Sequence, residues 1–168
     1  RLLVDLGPKG TQAAVKDVVK LIRPYAERLG VGSASGIQLN KCTVAEYHTD
    51  ANTKAPAVVV GLGDYTGGHL LKRLSHVEHC FDVRNKCTLL LPGEEHASEA
   101  FTGERYSLVY FEHKCCADLL PKQAAHLASA GFPVPAGGSS AREFQPVVAR
   151  LGLPWSPAEF VERAEQLD

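Results

Sequence analysis

The sequence has no methionine, no apolar stretch approaching a membrane-spanning length, no long basic run and no Cys-x-x-Cys pair. Without roughly 18 consecutive apolar residues there is no candidate spanning helix. The opening Arg-Leu-Leu-Val-Asp-Leu-Gly is too short for a signal-peptide core, so no membrane partner is expected. With no basic run and a formal net charge of -1, a strong non-specific grip on nucleic acid or anionic lipid is not expected either. The five cysteines, Cys42, Cys80, Cys87, Cys115 and Cys116, are odd in number and lack zinc-site spacing. We therefore expect a reducing, intracellular compartment, nuclear or cytoplasmic, and read the adjacent Cys115 and Cys116 as small half-buried side chains. A chain that starts at Arg1 without any methionine is expected to be a piece of a longer protein, whose flanks carry part of substrate recognition. There is no internal repeat, no low-complexity tract, and no convincing Ser/His/Asp or Cys/His constellation.

What is present fits one compact domain: 168 residues, 45% hydrophobic and 22% charged, enough for a real core but not for two large domains. Over residues 11–29, Val15, Val18, Val19, Ile22 and Tyr25/Ala26 recur at three- and four-residue steps, which predicts an amphipathic helix with Pro24 near its end. The Gly/Ser stretch 30–36 breaks that pattern. Short apolar or alternating runs follow at 37–39, 57–62, 69–71, 87–91 and 105–111, punctuated by Gly, Pro, Asn and Asp. They predict an antiparallel sandwich or jelly roll. Helical text returns at 117–130, and a last helix is expected from Ser156, with Pro157 at its first position and Glu159 completing a capping box. The expected fold is mostly β with flanking helices: helical support over 1–35, a β core over 36–112 and a helical segment over 113–168.

The chemistry centres on Tyr47-His48-Thr49-Asp50, at the junction of a strand-like segment and a loop. In extended backbone, residues two apart share a face, so His48 and Asp50 can approach one ion together. Alone, the pair is weak evidence in a chain with seven histidines. A 2-His-1-carboxylate facial triad needs a second histidine from elsewhere in the fold. His96 is the candidate, 46 residues after Asp50 in Pro92-Gly93-Glu94-Glu95-His96. Nine residues further, Arg105 shares a strand face with Ser107, and an Arg beside a hydroxyl suits bidentate binding of a diacid. Singly, each residue reads as an ordinary polar side chain; in this order they read as a metal site with a cosubstrate anchor.

His76-Val77-Glu78 has the same spacing but follows a turn-like stretch and lacks a partner, so it is read as a decoy. His79, His113 and His126 are read as surface or half-buried residues. Asp64 and Tyr65 are read as shaping a turn, with Gly67 and Gly68 supplying backbone freedom. Lys41, Lys54, Lys72 and Arg73 are read as solvated rather than as a basic patch.

His48-Thr49-Asp50, Gly63-Asp64-Tyr65-Thr66-Gly67-Gly68, His96 and Gly103-Glu104-Arg105-Tyr106-Ser107-Leu108-Val109-Tyr110-Phe111 together resemble the Fe(II)/2-oxoglutarate-dependent dioxygenase superfamily over about residues 36–112. The wording is most similar to the Tet/JBP-type branch, which includes algal and protist 5-methylcytosine-modifying enzymes. The resemblance implies a single oxygenase domain on a double-stranded β-helix (jelly roll, cupin-like). It implies Fe(II) on His48, Asp50 and His96, 2-oxoglutarate held by Arg105 with Ser107, and O2 as the oxidant, with ascorbate as reductant or alternative cosubstrate. The implied reaction is hydroxylation of a C–H bond, such as the methyl group of 5-methylcytosine or thymine in DNA or RNA. The weighed alternatives are a protein or peptide side-chain (prolyl-type) hydroxylase and a non-catalytic jelly-roll binding module. Asn52, Lys54, Tyr65 and His69 are the candidate substrate-binding residues; His69 departs from the acidic or apolar residue common after the Gly-Gly pair. Tyr47 and Tyr65 are the candidate aromatic platforms for a flipped base.

Overall fold

The computed structural model describes residues 34–114 and 120–129, together with Leu2–Leu3 and Pro24. The strands are β1 (Leu2–Leu3), β2 (Gly36–Lys41), β3 (Ala57–Gly67), β4 (Leu70–Leu74), β5 (Val77–Phe81), β6 (Cys87–Leu90), β7 (Glu95–Ser98) and β8 (Phe101–Phe111), followed by helix α1 (Pro121–Ser129). They form two antiparallel sheets, a large one ordered β1-β2-β8-β3-β6 and a small one ordered β5-β4-β7. An isolated bridge between His48 and His96 lays the His48 segment along the other side of β7.

Residues directly opposite in an antiparallel ladder share a face. In the large sheet, Val59 pairs with Val109, Gly61 with Ser107, Gly63 with Arg105, and Ser107 with Asn40 across β8. One face therefore carries Ala57, Val59 and Val109 at one end and Ser107, Arg105 and Tyr65 toward the other. Its apolar end is the core, where Ala57, Val59 and Leu90 cluster with Val83 and with Leu70 of the small sheet, and Phe81, Val109 and Phe111 pack against them. The cluster joins the two sheets, and burying each Val or Leu within it stabilises the fold by roughly 1.5–3 kcal/mol. The opposite face at β3 and β8 is buried too, at Val58, Val60, Leu62, Tyr106, Leu108 and Tyr110. That two-sided burial explains why the N-terminal half of β3 reads as a continuous apolar run rather than an alternating one.

The expected strands all appear, several of them longer. Asp64 and Tyr65 are a correction: they lie inside β3, which keeps its register with β8 through Gly67↔Phe101, instead of forming a turn. β5 and β7 were not anticipated as strands. β5 is an edge strand with four of its five residues exposed, so it carries no burial signature. The C-terminal helical expectation survives at Pro121–Ser129, where Pro121 occupies the first position and the Gln123 side chain accepts from the Leu120 amide at 2.8 Å. The helix expected over 11–29, apart from Pro24, and the one from Ser156 lie outside the described residues, as do Cys115 and Cys116. No disulfide joins Cys42, Cys80 or Cys87. No helix among the described residues is long and apolar enough to cross a membrane.

Candidate metal centre and cosubstrate pocket

His48 and His96 are held by a reciprocal pair of backbone hydrogen bonds, His48 N to His96 O at 3.0 Å and His96 N to His48 O at 2.9 Å. Cross-strand partners project from the same face, and the two rings stand with centroids 4.3 Å apart. Asp50, two residues beyond His48, joins them: its Oδ1 is 4.0 Å from His48 Nε2 and its Oδ2 is 3.9 Å from His96 Nε2. One ligand atom from each residue lies within 4.8 Å of the others. Ligand atoms about 2.1 Å from a common ion at right angles stand about 3 Å apart. Closing that difference of about 1 Å falls to His48 and Asp50, whose side chains are 45% and 43% exposed, while His96 is 7% exposed and fixed in β7.

The histidine tautomers follow from hydrogen bonding. His48 Nδ1 lies 2.7 Å from the Glu46 carbonyl and His96 Nδ1 lies 3.0 Å from the Glu94 carbonyl. A carbonyl oxygen only accepts, so each Nδ1 carries the proton and each Nε2 lone pair is left for an ion. Two imidazole nitrogens and one carboxylate, with one side open through exposed His48 and Asp50, form a donor set that suits a divalent metal ion such as Fe(II). The residues present fit that ion.

Arg105 and Ser107 sit on the inner face of the large sheet, 3% and 7% exposed. The Arg105 guanidinium carbon lies 5.6 Å from the ring centroids of both Tyr65 and Phe101, and those rings meet edge to face. Arg105 Nε and the Tyr65 hydroxyl are buried, and neither donates to an acceptor; the Arg105 guanidinium stands beside the hydroxyl. Buried donors left unpaired are costly, and a cluster of them is what a bound anion would satisfy. Burial raises the Tyr65 hydroxyl above the ordinary tyrosine range, with the Arg105 charge opposing, so it remains a proton donor at neutral pH. The Asn40 amide donates to Ser107 Oγ at 3.1 Å, which leaves the Ser107 hydroxyl proton free to point elsewhere. Gly61 makes room for the Tyr65 hydroxyl, which an added Cβ there would strike. Gly68, at φ +67, lies against the Arg105 side chain, where a Cβ would come within 2.9 Å of Cδ and Nε. Arg, Tyr and Ser donors share this face, the donor chemistry that a carboxylate takes.

The other candidate residues are distributed differently. Tyr65 points into the Arg105 pocket at 2% exposure, so it offers no surface on which a base could stack. Tyr47 does not face the metal group either: its ring lies under Arg73 on the sheet face opposite His48. His69 pairs with Glu99 through its ring and its amide, closing the turn beside Gly68. Asn52 and Lys54 are exposed, on a segment whose backbone pairs with 112–114. Among the four basic residues, Lys72 is buried, not solvated: it bonds the Leu89 carbonyl and, at 3.2 Å, Glu94. Arg73 pairs with Glu95 at 2.9 Å and Lys41 with Glu104 at 3.3 Å, so no common patch forms. His76 occupies the β4–β5 turn at φ 67 and Glu78 is bonded by Tyr47, which leaves that decoy without a site. Sequence reasoning missed Tyr65 as a pocket donor; the alternation Gly61, Gly63, Tyr65 facing Ser107 and Arg105 was the available signal.

No protein-family model matches the chain, and no curated protein matches it.

Proposed function

We propose that this chain is a non-haem Fe(II)- and 2-oxoglutarate-dependent oxygenase on a double-stranded β-helix. The observation that carries the reading is the convergence of His48, Asp50 and His96 on one point, with a buried, unpartnered Arg105–Tyr65 pocket on the face of the large sheet that meets the small one. The order of strands along the chain supports the jelly-roll winding. β2 is in the large sheet, the His48 bridge in the small, β3 large, β4 and β5 small, β6 large, β7 small and β8 large.

His48, Asp50 and His96 would hold the iron, leaving positions open for cosubstrate and oxygen. Arg105, Tyr65 and Ser107 would hold the distal carboxylate of 2-oxoglutarate. When bound, the pair supplies the oxidising power: O2 is consumed, 2-oxoglutarate becomes succinate and CO2, and a substrate C–H becomes C–OH. The protein's share is placement. The Glu46 and Glu94 carbonyls hold both imidazoles in the ligating tautomer, and Phe101 and Gly68 close the carboxylate pocket against water.

The substrate proposed from the sequence is a 5-methylpyrimidine in DNA or RNA. A protein or peptide side chain is the second reading, and a specific observation favours it: Lys72, Arg73 and Lys41 are tied up in ion pairs and do not form a phosphate-binding face. Fe(II) chemistry and unbridged thiols suit a reducing intracellular compartment.

The test is succinate formation by anaerobically prepared protein given Fe(II), 2-oxoglutarate and then oxygen. Wild type is expected to release succinate, and His48→Ala and His96→Ala to release none. Stimulation by methylated DNA or by peptide identifies the substrate class. Iron binding without succinate points to ascorbate as cosubstrate, and failure to bind iron leaves a jelly-roll binding module.

A further inference from the structure

Two of the three proposed ligands sit on a segment with few attachments. Its described backbone bonds to β7 are His48 N to His96 O, His96 N to His48 O and Ser98 N to Ala45 O, and the Ala45 amide adds a bond to Ser98 Oγ at 2.8 Å. Asp50 lies beyond the last of them, and His48 and Asp50 are exposed. Rotation of this segment about its own axis would carry both ligands away from His96, because they project from the same side.

Alternation puts Tyr47 on the opposite side, where it is engaged. The Arg73 guanidinium covers its ring, Cζ 4.0 Å from the centroid. Its hydroxyl donates to Glu78 Oε2. Arg73 Nη1 in turn donates to Glu95 Oε2 at 2.9 Å. Glu95, Arg73 and Glu78 are cross-strand partners on β7, β4 and β5, so Tyr47 reaches over β7 and β4 to the far strand. The Tyr47 and Glu78 side chains thus meet over the small sheet, on the face away from the ion.

We propose that Tyr47 is a positioning residue of the metal centre: strapped by Arg73 and Glu78, it fixes the rotation of the segment that presents His48 and Asp50. This inference rests on the metal reading above. Each contact of the strap is exposed and modest alone. Together they oppose the one rotation that the edge bonds leave soft. The apparent affinity for an ion scales with the fraction of molecules whose ligands are in register, so loosening the strap weakens ion binding without touching a ligand.

The test is titration of the full chain with Co(II), followed by visible absorption, with thermal melting to verify the fold. Tyr47→Ala is expected to weaken Co(II) about tenfold, in the range of other residues that orient metal ligands. Tyr47→Phe keeps the ring under Arg73 and loses the bond to Glu78, and is expected to fall between wild type and Tyr47→Ala, as is Glu78→Ala. Lys86→Ala removes an exposed ion pair with Asp82 and is expected to change nothing. A folded Tyr47→Ala with wild-type Co(II) affinity overturns the strap and leaves the metal centre standing. Should Tyr47→Ala fail to fold, unchanged affinity in both Tyr47→Phe and Glu78→Ala overturns it equally. Wild type that binds no Co(II) overturns the metal reading itself.

Discussion

Replacing Tyr65 by Phe is expected to move stability and cosubstrate binding in opposite directions. The Tyr65 hydroxyl is buried with no acceptor for its proton, in a side chain 2% exposed. An unsatisfied buried hydroxyl costs about 1–3 kcal/mol, and Phe keeps the ring that packs edge to face on Phe101. Ligand-free Tyr65→Phe should therefore be as stable as wild type or more stable by about 1 kcal/mol, a rise of about 2–4 °C in melting temperature for a chain of this size. The same hydroxyl, kept protonated by burial, would donate to the carboxylate of 2-oxoglutarate beside Arg105. Losing a hydrogen bond to a charged group costs about 1.5–3 kcal/mol, which weakens binding roughly 10- to 150-fold. The assay is calorimetric titration of 2-oxoglutarate into anaerobic Mn(II)-loaded protein, paired with melting curves with and without the diacid. The stabilisation that 2-oxoglutarate confers on wild type should shrink in the variant. A Tyr65→Phe protein that melts lower than wild type and binds 2-oxoglutarate just as tightly refutes the assignment of this hydroxyl to the pocket.

Gly68→Ala forces a Cβ onto a φ of +67 and to within 2.9 Å of Arg105 Cδ and Nε. It should lower stability by about 1–2 kcal/mol in urea denaturation and weaken 2-oxoglutarate in the same titration. Lys72→Met leaves Glu94, whose side chain is 13% exposed, with the Leu91 amide as its remaining donor, and should cost about 3 kcal/mol by urea denaturation, whereas adding Glu94→Gln should recover much of that loss. Glu99 is held below the ordinary carboxylate range chiefly by the hydrogen bond from His69. Its contribution to stability is thus present above the unfolded value, near 4.5, and is lost as pH falls through the lower folded value. Glu99→Gln should flatten the decline in melting temperature from about pH 5 downward, and an unchanged acid limb would count against the pairing.

How much of this was legible in the sequence depended on whether a residue's role is set along the chain or across it. The N-terminal half of β3 was legible because Ala57-Val-Val-Val-Gly-Leu is apolar on both faces, as a central strand must be. Asp64-Tyr65-Thr66-Gly67 reads as turn text, and only the ladder with β8 pulls it straight. β5, Val-Glu-His-Cys-Phe, was invisible because an edge strand buries little and so shows no period. The clustering of His48, Asp50 and His96 was legible since the His48–Asp50 spacing is a property of extended backbone, and His96 and Arg105 followed in a suitable order. The partners that make these residues usable were not. The register setting Gly63 opposite Arg105, the closeness of Tyr65 to Arg105 and the bond from Tyr47 to Glu78 all join residues distant in sequence, and no local pattern encodes them.

The bridge between His48 and His96 divides the labour among the three ligands. The backbone spacing of the two histidines is inherited from the spacing of neighbouring strands, a length common to antiparallel sheets. The carboxylate stands past the bridge and inherits nothing. Adaptation to ions of different radius falls to the exposed side chains of His48 and Asp50, working against a ruler made of main chain.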